Sequence, residues 1–133
     1  MKEKGVNYYT NVRQDVLELL PDYIVFANVL DVGCAAGHTG EFLKKNRLAQ
    51  RVTGLEQDAG IAAIAQQKLD RVFVLSAETP YLPFEQEEFD LIIFADVLEH
   101  LVDPWSTLKK FVNFVTPGGY VLVSLPNIQN WKV

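Results

Sequence analysis

The residues best placed to do chemistry lie between Val29 and Gly40, VLDVGCAAGHTG, where an apolar run ends in an acid and breaks into a turn of small residues. Asp31 is the acid, and Gly33, Cys34, Ala35, Ala36 and Gly37 are too small to obstruct a ligand resting against bare backbone. A strand, a tight turn and a helix start bring backbone N–H groups to a cofactor. A dinucleotide fingerprint asks for glycine at the first, third and sixth positions of such a turn. Here those positions hold Gly33, Ala35 and His38, and an imidazole is a poor substitute where helix and sheet must approach closely. Glu56, followed by Gln57, comes about 20 residues later, the spacing at which a βαβ unit presents an acid to a ribose diol. A carboxylate suits that task because it accepts from two adjacent hydroxyls at once. The plain alternatives are an ordinary strand-to-helix turn and a solvated loop acid.

Elements that would position these residues follow from hydrophobic periodicity. Val12, Val16, Leu17, Leu19 and Leu20 fall at helical spacing ahead of Pro21 and predict a covering helix, with Tyr8 and Tyr9 at its mouth either closing over a pocket or packing. Ile24 to Asp31 leads into the first strand, Thr39 to Leu48 reads as a helix, and Arg51 to Leu55 as the second strand. Asp58 caps a helix from Ala59 to Leu69 whose stripe is Ile61, Ala62, Ile64, Ala65 and Leu69. Arg71 to Leu75 is the third strand, and Asp90 to Phe94, apolar throughout its interior, is a central one buried on both faces. Asp103 and Pro104 start a helix with Trp105, Leu108, Phe111, Val112 and Val115 on its buried face. Thr116 to Gly119 form a turn before the fifth strand, Tyr120 to Leu125. The expectation is one α/β domain over residues 1–133, a Rossmann-like, doubly wound parallel sheet with helices on both faces.

The turn, with its preceding acid, resembles motif I of the class I S-adenosylmethionine-dependent methyltransferases, although Ala35 replaces the commoner glycine. The segment FDLIIFADVLEHLVDPW is similar to motif IV and the following loop, and SLPN matches the end of the fifth strand. The resemblance implies strand order 3-2-1-4-5 and S-adenosylmethionine as cofactor. It implies that Asp31 helps hold the ammonium group, often through water, and that the strand tip at Ala95 and Asp96 lies beside the transferable methyl. In the stretch SAETPYLPF, an acid is implied at the adenine amino group: Glu78 is the favoured contact, with Ala77 supplying backbone and Ser76 the alternative. The Gly33 turn, Glu56, Glu78 and Asp96 would then meet from four strand ends at one sheet edge. The resemblance covers roughly residues 8–130 and lacks the family's later strands, which leaves the chain short at its C-terminal end.

Composition sets the wider bounds. A net charge of -5 gives no electrostatic support to nucleic-acid binding. One cysteine excludes an internal disulfide, two histidines offer no zinc spacing, and no apolar run is long enough to span a bilayer. A cytoplasmic protein without membrane insertion is expected. The function expected is methyl transfer, at oxygen, to a small molecule or glycan precursor, with His100 as candidate general base and His38 the other histidine near the turn. Glu99, His100 and Asp103 form no strong ligand set, so no metal is expected. From another class, a non-catalytic cofactor-binding or interaction domain that dimerises through strand five remains open. A nicotinamide-dependent oxidoreductase is opposed by Asp31 and His38. An exposed fifth strand would invite a homodimer through its edge.

Overall fold

Three stretches, residues 29–32, 52–55 and 91–94, are buried at every position, which only interior strands of a sheet covered on both faces allow. In the computed structural model, which describes residues 14–125, they form the centre of a five-stranded sheet. The elements are α1 (Gln14–Leu17), β1 (Phe26–Val32), α2 (His38–Lys45), β2 (Ala49–Leu55), α3 (Ala59–Ala65), β3 (Arg71–Phe73) and β4 (Phe89–Ala95). A 3-10 turn (Leu98–His100), α4 (Pro104–Val112) and β5 (Val115–Ser124) complete them. The order is β3-β2-β1-β4-β5 and every pairing is parallel, as expected.

Alternation along the strands divides the core in two. Val29, Leu91 and Ile93 join Val16 of α1, Leu43 of α2 and Ala65 of α3 on one face; Leu30, Ile92 and Phe94 join Phe111 of α4 on the other. The second face is aromatic: Phe84 meets Phe73, Phe89 and Phe114 edge to face, and Phe111 meets Phe94 and Phe114 likewise. At the opposite end of the sheet from the cofactor-like turn, the Asp90 carboxylate accepts from Ala27 N and Asn28 N at 2.8 and 2.9 Å and ties β4 to the start of β1.

Several boundaries depart from expectation. α2 runs from His38 to Lys45, because Arg47 takes a left-handed φ of 58° and turns the chain so that β2 begins at Ala49. α3 ends at Ala65; Leu69 remains buried on turns that follow. β3 stops at Phe73. The expected turn at residues 116–119 lies inside β5, where Val115 pairs with Phe89 and Tyr120 with Leu91, so the extra residues bulge out while the strand continues. On α4 Thr107 and Phe111 are buried and Leu108 half-buried, which leaves Trp105 and Val112 exposed, contrary to expectation. Ile64 and Leu19 are likewise exposed. Val12, Tyr8, Tyr9 and the Pro126 and Asn127 of SLPN lie outside the described residues. Among the described residues, no helix is long and apolar enough to cross a membrane.

Candidate functional site

Every strand of a parallel sheet ends on the same edge, and here the ends of β1 to β4 enclose a cavity of about 440 Å³. Gly33 and Ala35 line it from β1, Glu56 and Gln57 from β2, Ser76 and Ala77 beyond β3, and Ala95, Asp96 and His100 beyond β4. Nine of the residues read from the sequence therefore share one wall or another of a single pocket.

The turn after β1 is built by backbone geometry. Gly33 has φ 70°, and a Cβ there would lie 2.7 Å from Cγ2 of Val97, which lines the opposite wall. Only glycine satisfies both conditions. Ala35 also holds a left-handed φ of 51°, a conformation that costs an L-residue roughly 1–2 kcal/mol. The close approach of helix and sheet that a dinucleotide fingerprint assigns to its sixth position is made by Gly40 instead, where a Cβ would fall 2.5 Å from Leu69 Cδ2 and 2.8 Å from Val52 Cγ1. The turn's own N–H groups are largely occupied: Gly33 N and Cys34 N donate to Leu55 O at 2.7 and 3.0 Å, and Gly37 N to Cys34 O at 3.0 Å. Small side chains thus give the ligand room more than they give it donors, which differs from the expectation of a donor cradle.

Glu56 braces this turn. Its Oε1 accepts from Ala35 N at 2.9 Å and its Oε2 from Asp58 N at 3.0 Å, and each oxygen keeps a further lone pair for the pocket. Behind it, Asp31 is buried and does not line the cavity. Burial, with the charge of Glu56 adding to it, pushes the Asp31 carboxyl up to about 7. Cys34 is buried too, its Sγ pressed against Gly54, and burial together with the charges of Asp31 and Glu56 pushes its thiol up. A thiol so disfavoured from ionising packs and does not attack. Gly37, with φ 88°, stands at the N-cap of α2, outside the cavity lining, and gives that helix no side-chain cap.

On the other side, Asp96 has φ 57° and is locked to β5: its N–H donates to Ser124 O and Oγ at 3.2 and 3.0 Å, and Ser124 Oγ donates to Asp96 Oδ1 at 3.1 Å. His100 closes the 3-10 turn with its side chain 66% exposed and Nε2 3.6 Å from Glu99 Oε2. Oε1 of Glu99 is buried without a hydrogen-bond partner among the described residues. His38 faces Glu41 across 3.9 Å on α2 and does not line the cavity. Among the described residues, no three His, Cys, Asp or Glu side chains are arranged to hold a metal ion.

One expected contact is placed elsewhere. Glu78, favoured for adenine, does not line the cavity; its Oε2 accepts from Val102 N at 2.9 Å and Asp103 N at 3.1 Å, because the side chain is long enough to reach the segment before α4. Ser76 and Ala77 are left to form that wall. Sequence reading missed the apolar lining, Ile61, Leu75, Val97 and Leu101, and the polar Asp58. For Leu75 and Val97 the available signal was a position two residues beyond a strand end, since residues there face the edge; Ile61, inside α3, and Leu101, after the 3-10 turn, carried no such signal.

The family model described as a methyltransferase domain matches residues 30–123. A protein of Mycolicibacterium smegmatis named "Probable S-adenosylmethionine-dependent methyltransferase" is 28% identical over 91% of this chain and 46% of its own length. The ubiquinone biosynthesis O-methyltransferase of Hydrogenovibrio crunogenus is 34% identical over 78% of this chain and 44% of its own. Among solved structures, a SAM-dependent methyltransferase of Thermotoga maritima, described as a possible histamine N-methyltransferase, superposes with a TM-score of 0.66 at 28% identity, over 83% of this chain and 47% of that one. The chain spans less than half the length of these curated relatives.

Proposed function

The chain belongs to the methyltransferase domain family, and from that premise we propose that it transfers a methyl group from S-adenosylmethionine to an oxygen of a small molecule or glycan precursor. The observation that carries this reading is the single cavity shared by four strand ends, of a volume suited to a ligand of nucleoside size. Within it, the free lone pairs of Glu56 take the ribose hydroxyls, Ser76 and Ala77 form the wall for the base, and Gly33 and Ala35 leave space for the methionine end. Asp31, buried behind the turn, reaches the ammonium group through water. The similarity to an O-methyltransferase supports oxygen as the methylated atom.

The bound cofactor supplies the electrophilic methyl and its positive charge. What this chain contributes is alignment, which can lower the barrier by several kcal/mol without a dedicated catalytic group. An acceptor hydroxyl must also lose a proton. His100, exposed at the pocket rim, takes it as general base. His100→Gln should lower kcat about 100-fold while S-adenosylhomocysteine binds as before; full turnover in that variant removes the base. The reading as a whole is tested with methyl-labelled S-adenosylmethionine and two acceptor sets, hydroxylated and amine. Label on the hydroxyl compounds is the expected result, and label confined to amines contradicts it.

Two further parts belong to the same proposal. β5 lies at the sheet edge among the described residues, with its Tyr120 and Val121 and the following Leu125 exposed, and a second copy of the chain is its partner. Light scattering should give twice the chain mass at high concentration, and a strictly monomeric mass contradicts the dimer. A single cysteine, buried and unpaired, accords with a cytoplasmic protein.

A further inference from the structure

The pocket has two walls that belong to different segments. Ser76 and Ala77 stand beyond β3, and His100 and Leu101 stand beyond β4. Nothing in the sheet ladder joins these segments, because β3 and β4 lie on opposite sides of β1 and β2. Side chains therefore set their separation: Leu75 and Ala77 pack in one apolar cluster with Leu98 and Leu101, and a directional tie is added by a carboxylate. Glu78 is two residues past Ser76, and its Oε2 accepts from both Val102 N and Asp103 N, the residues directly after Leu101. A second strap runs beside it, where Lys110 Nζ of α4 donates to Thr79 O at 2.8 Å. The loop is stiff at its base: Ser76 Oγ accepts from Glu78 N at 3.1 Å, and Thr79 N donates to Ser76 O at 3.1 Å. Asp103 in turn caps α4 through Ser106 N. One carboxylate therefore links a short loop, itself fixed by a hydroxyl, to the start of a packed helix.

We propose that Glu78 is a positioning residue that sets the width of the pocket by tying the Ser76–Ala77 wall to the His100–Leu101 wall, and that it makes no contact with the cofactor. This rests on the reading of the cavity as the S-adenosylmethionine site. Two amides converging on one carboxylate oxygen form charge-assisted bonds, the stronger kind, and they hold backbone, so a shift in them moves a whole wall. An acid at this place that touched adenine would discriminate the base. An acid that touches only protein acts on every ligand of the pocket equally.

The experiment separates the two. Affinities for S-adenosylhomocysteine and for S-inosylhomocysteine, which lacks the adenine amino group, are measured on the wild type, Glu78→Gln and Glu78→Ala. Amide exchange of Val102 and Asp103 is followed in the unliganded proteins, with Leu30 and Ile92 in the central strands as the control for folding. Glu78→Ala should weaken both ligands about tenfold, leave their affinity ratio at the wild-type value and speed exchange at Val102 and Asp103, with the central strands unchanged. Glu78→Gln, whose amide oxygen still accepts from both N–H groups, should stay within about threefold of the wild type. A ratio that collapses toward one in Glu78→Ala means direct adenine contact and overturns the proposal, as does unchanged exchange at Val102 and Asp103. A wild type that binds neither ligand overturns the cofactor reading itself and with it this proposal, which distinguishes the two failures.

Discussion

Glu56→Ala should weaken S-adenosylhomocysteine binding about 100-fold or more. The carboxylate is the one pocket acid that both faces the cavity and fixes its floor, through Ala35 N on one oxygen and Asp58 N on the other. Each lost hydrogen bond to a charged group is worth about 1.5–3 kcal/mol, and 1.4 kcal/mol is a factor of ten in affinity. Two ribose hydroxyls lost together exceed that threshold twice over. The turn also loosens, since Ala35 holds a left-handed conformation and loses its N–H partner. Glu56→Gln should fall between, because it keeps one acceptor oxygen and loses the charge. Calorimetric titration checks this; equal affinity in wild type and Glu56→Ala contradicts the placement of the ribose.

Acidity gives the second large effect. Asp31 has its carboxyl pushed up to about 7 in the folded protein against 3.8 for the free group, by burial first and by Glu56 second. The folded state therefore holds a proton that the unfolded state has released, wherever the pH lies between the two values. Stability of the ligand-free protein must fall as pH rises through that window and level off above about 7, by an amount on the order of a few kcal/mol. Cys34, a second titratable neighbour beside Glu56, stays a neutral thiol throughout, its own acidity suppressed by burial and by both carboxylates. The melting temperature should drop between pH 5 and pH 7.5 in the wild type, and Asp31→Asn should flatten that slope. An ammonium group held by Asp31 favours the charged carboxylate, so the cofactor should bind more tightly as pH rises through the same range. A wild-type slope no steeper than that of Asp31→Asn contradicts the assignment.

Much of this was legible because parallel sheets leave strong marks. Leu91 to Phe94 reads as an interior strand from its unbroken apolar character and Val29 to Leu30 as the buried end of another, and the acid beyond each, Asp96 and Asp31, marks the ligand edge. The helix faces were less legible. On α4 apolarity alone favours a face of Trp105, Leu108, Phe111, Val112 and Val115; packing of Phe111 against Phe94 centres the buried face on Thr107, Leu108 and Phe111, and leaves Trp105 and Val112 exposed. At residues 116–119, proline and two glycines announce a turn, yet β4 offers a ladder on both sides and the turn is absorbed as a bulge. At Glu78, whose Oε2 accepts from Val102 N and Asp103 N, a similar limit applies. Sequence spacing puts an acid near the edge, but whether its side chain reaches the cavity or a neighbouring backbone depends on where the segment before α4 passes.

The central claim is that the cavity at the ends of β1 to β4 is a site for S-adenosylmethionine. Titration of the purified chain with S-adenosylmethionine, S-adenosylhomocysteine and NAD tests it most directly. Micromolar binding of the first two, with none of NAD, is the result expected; binding of NAD alone, or of none of the three, contradicts it.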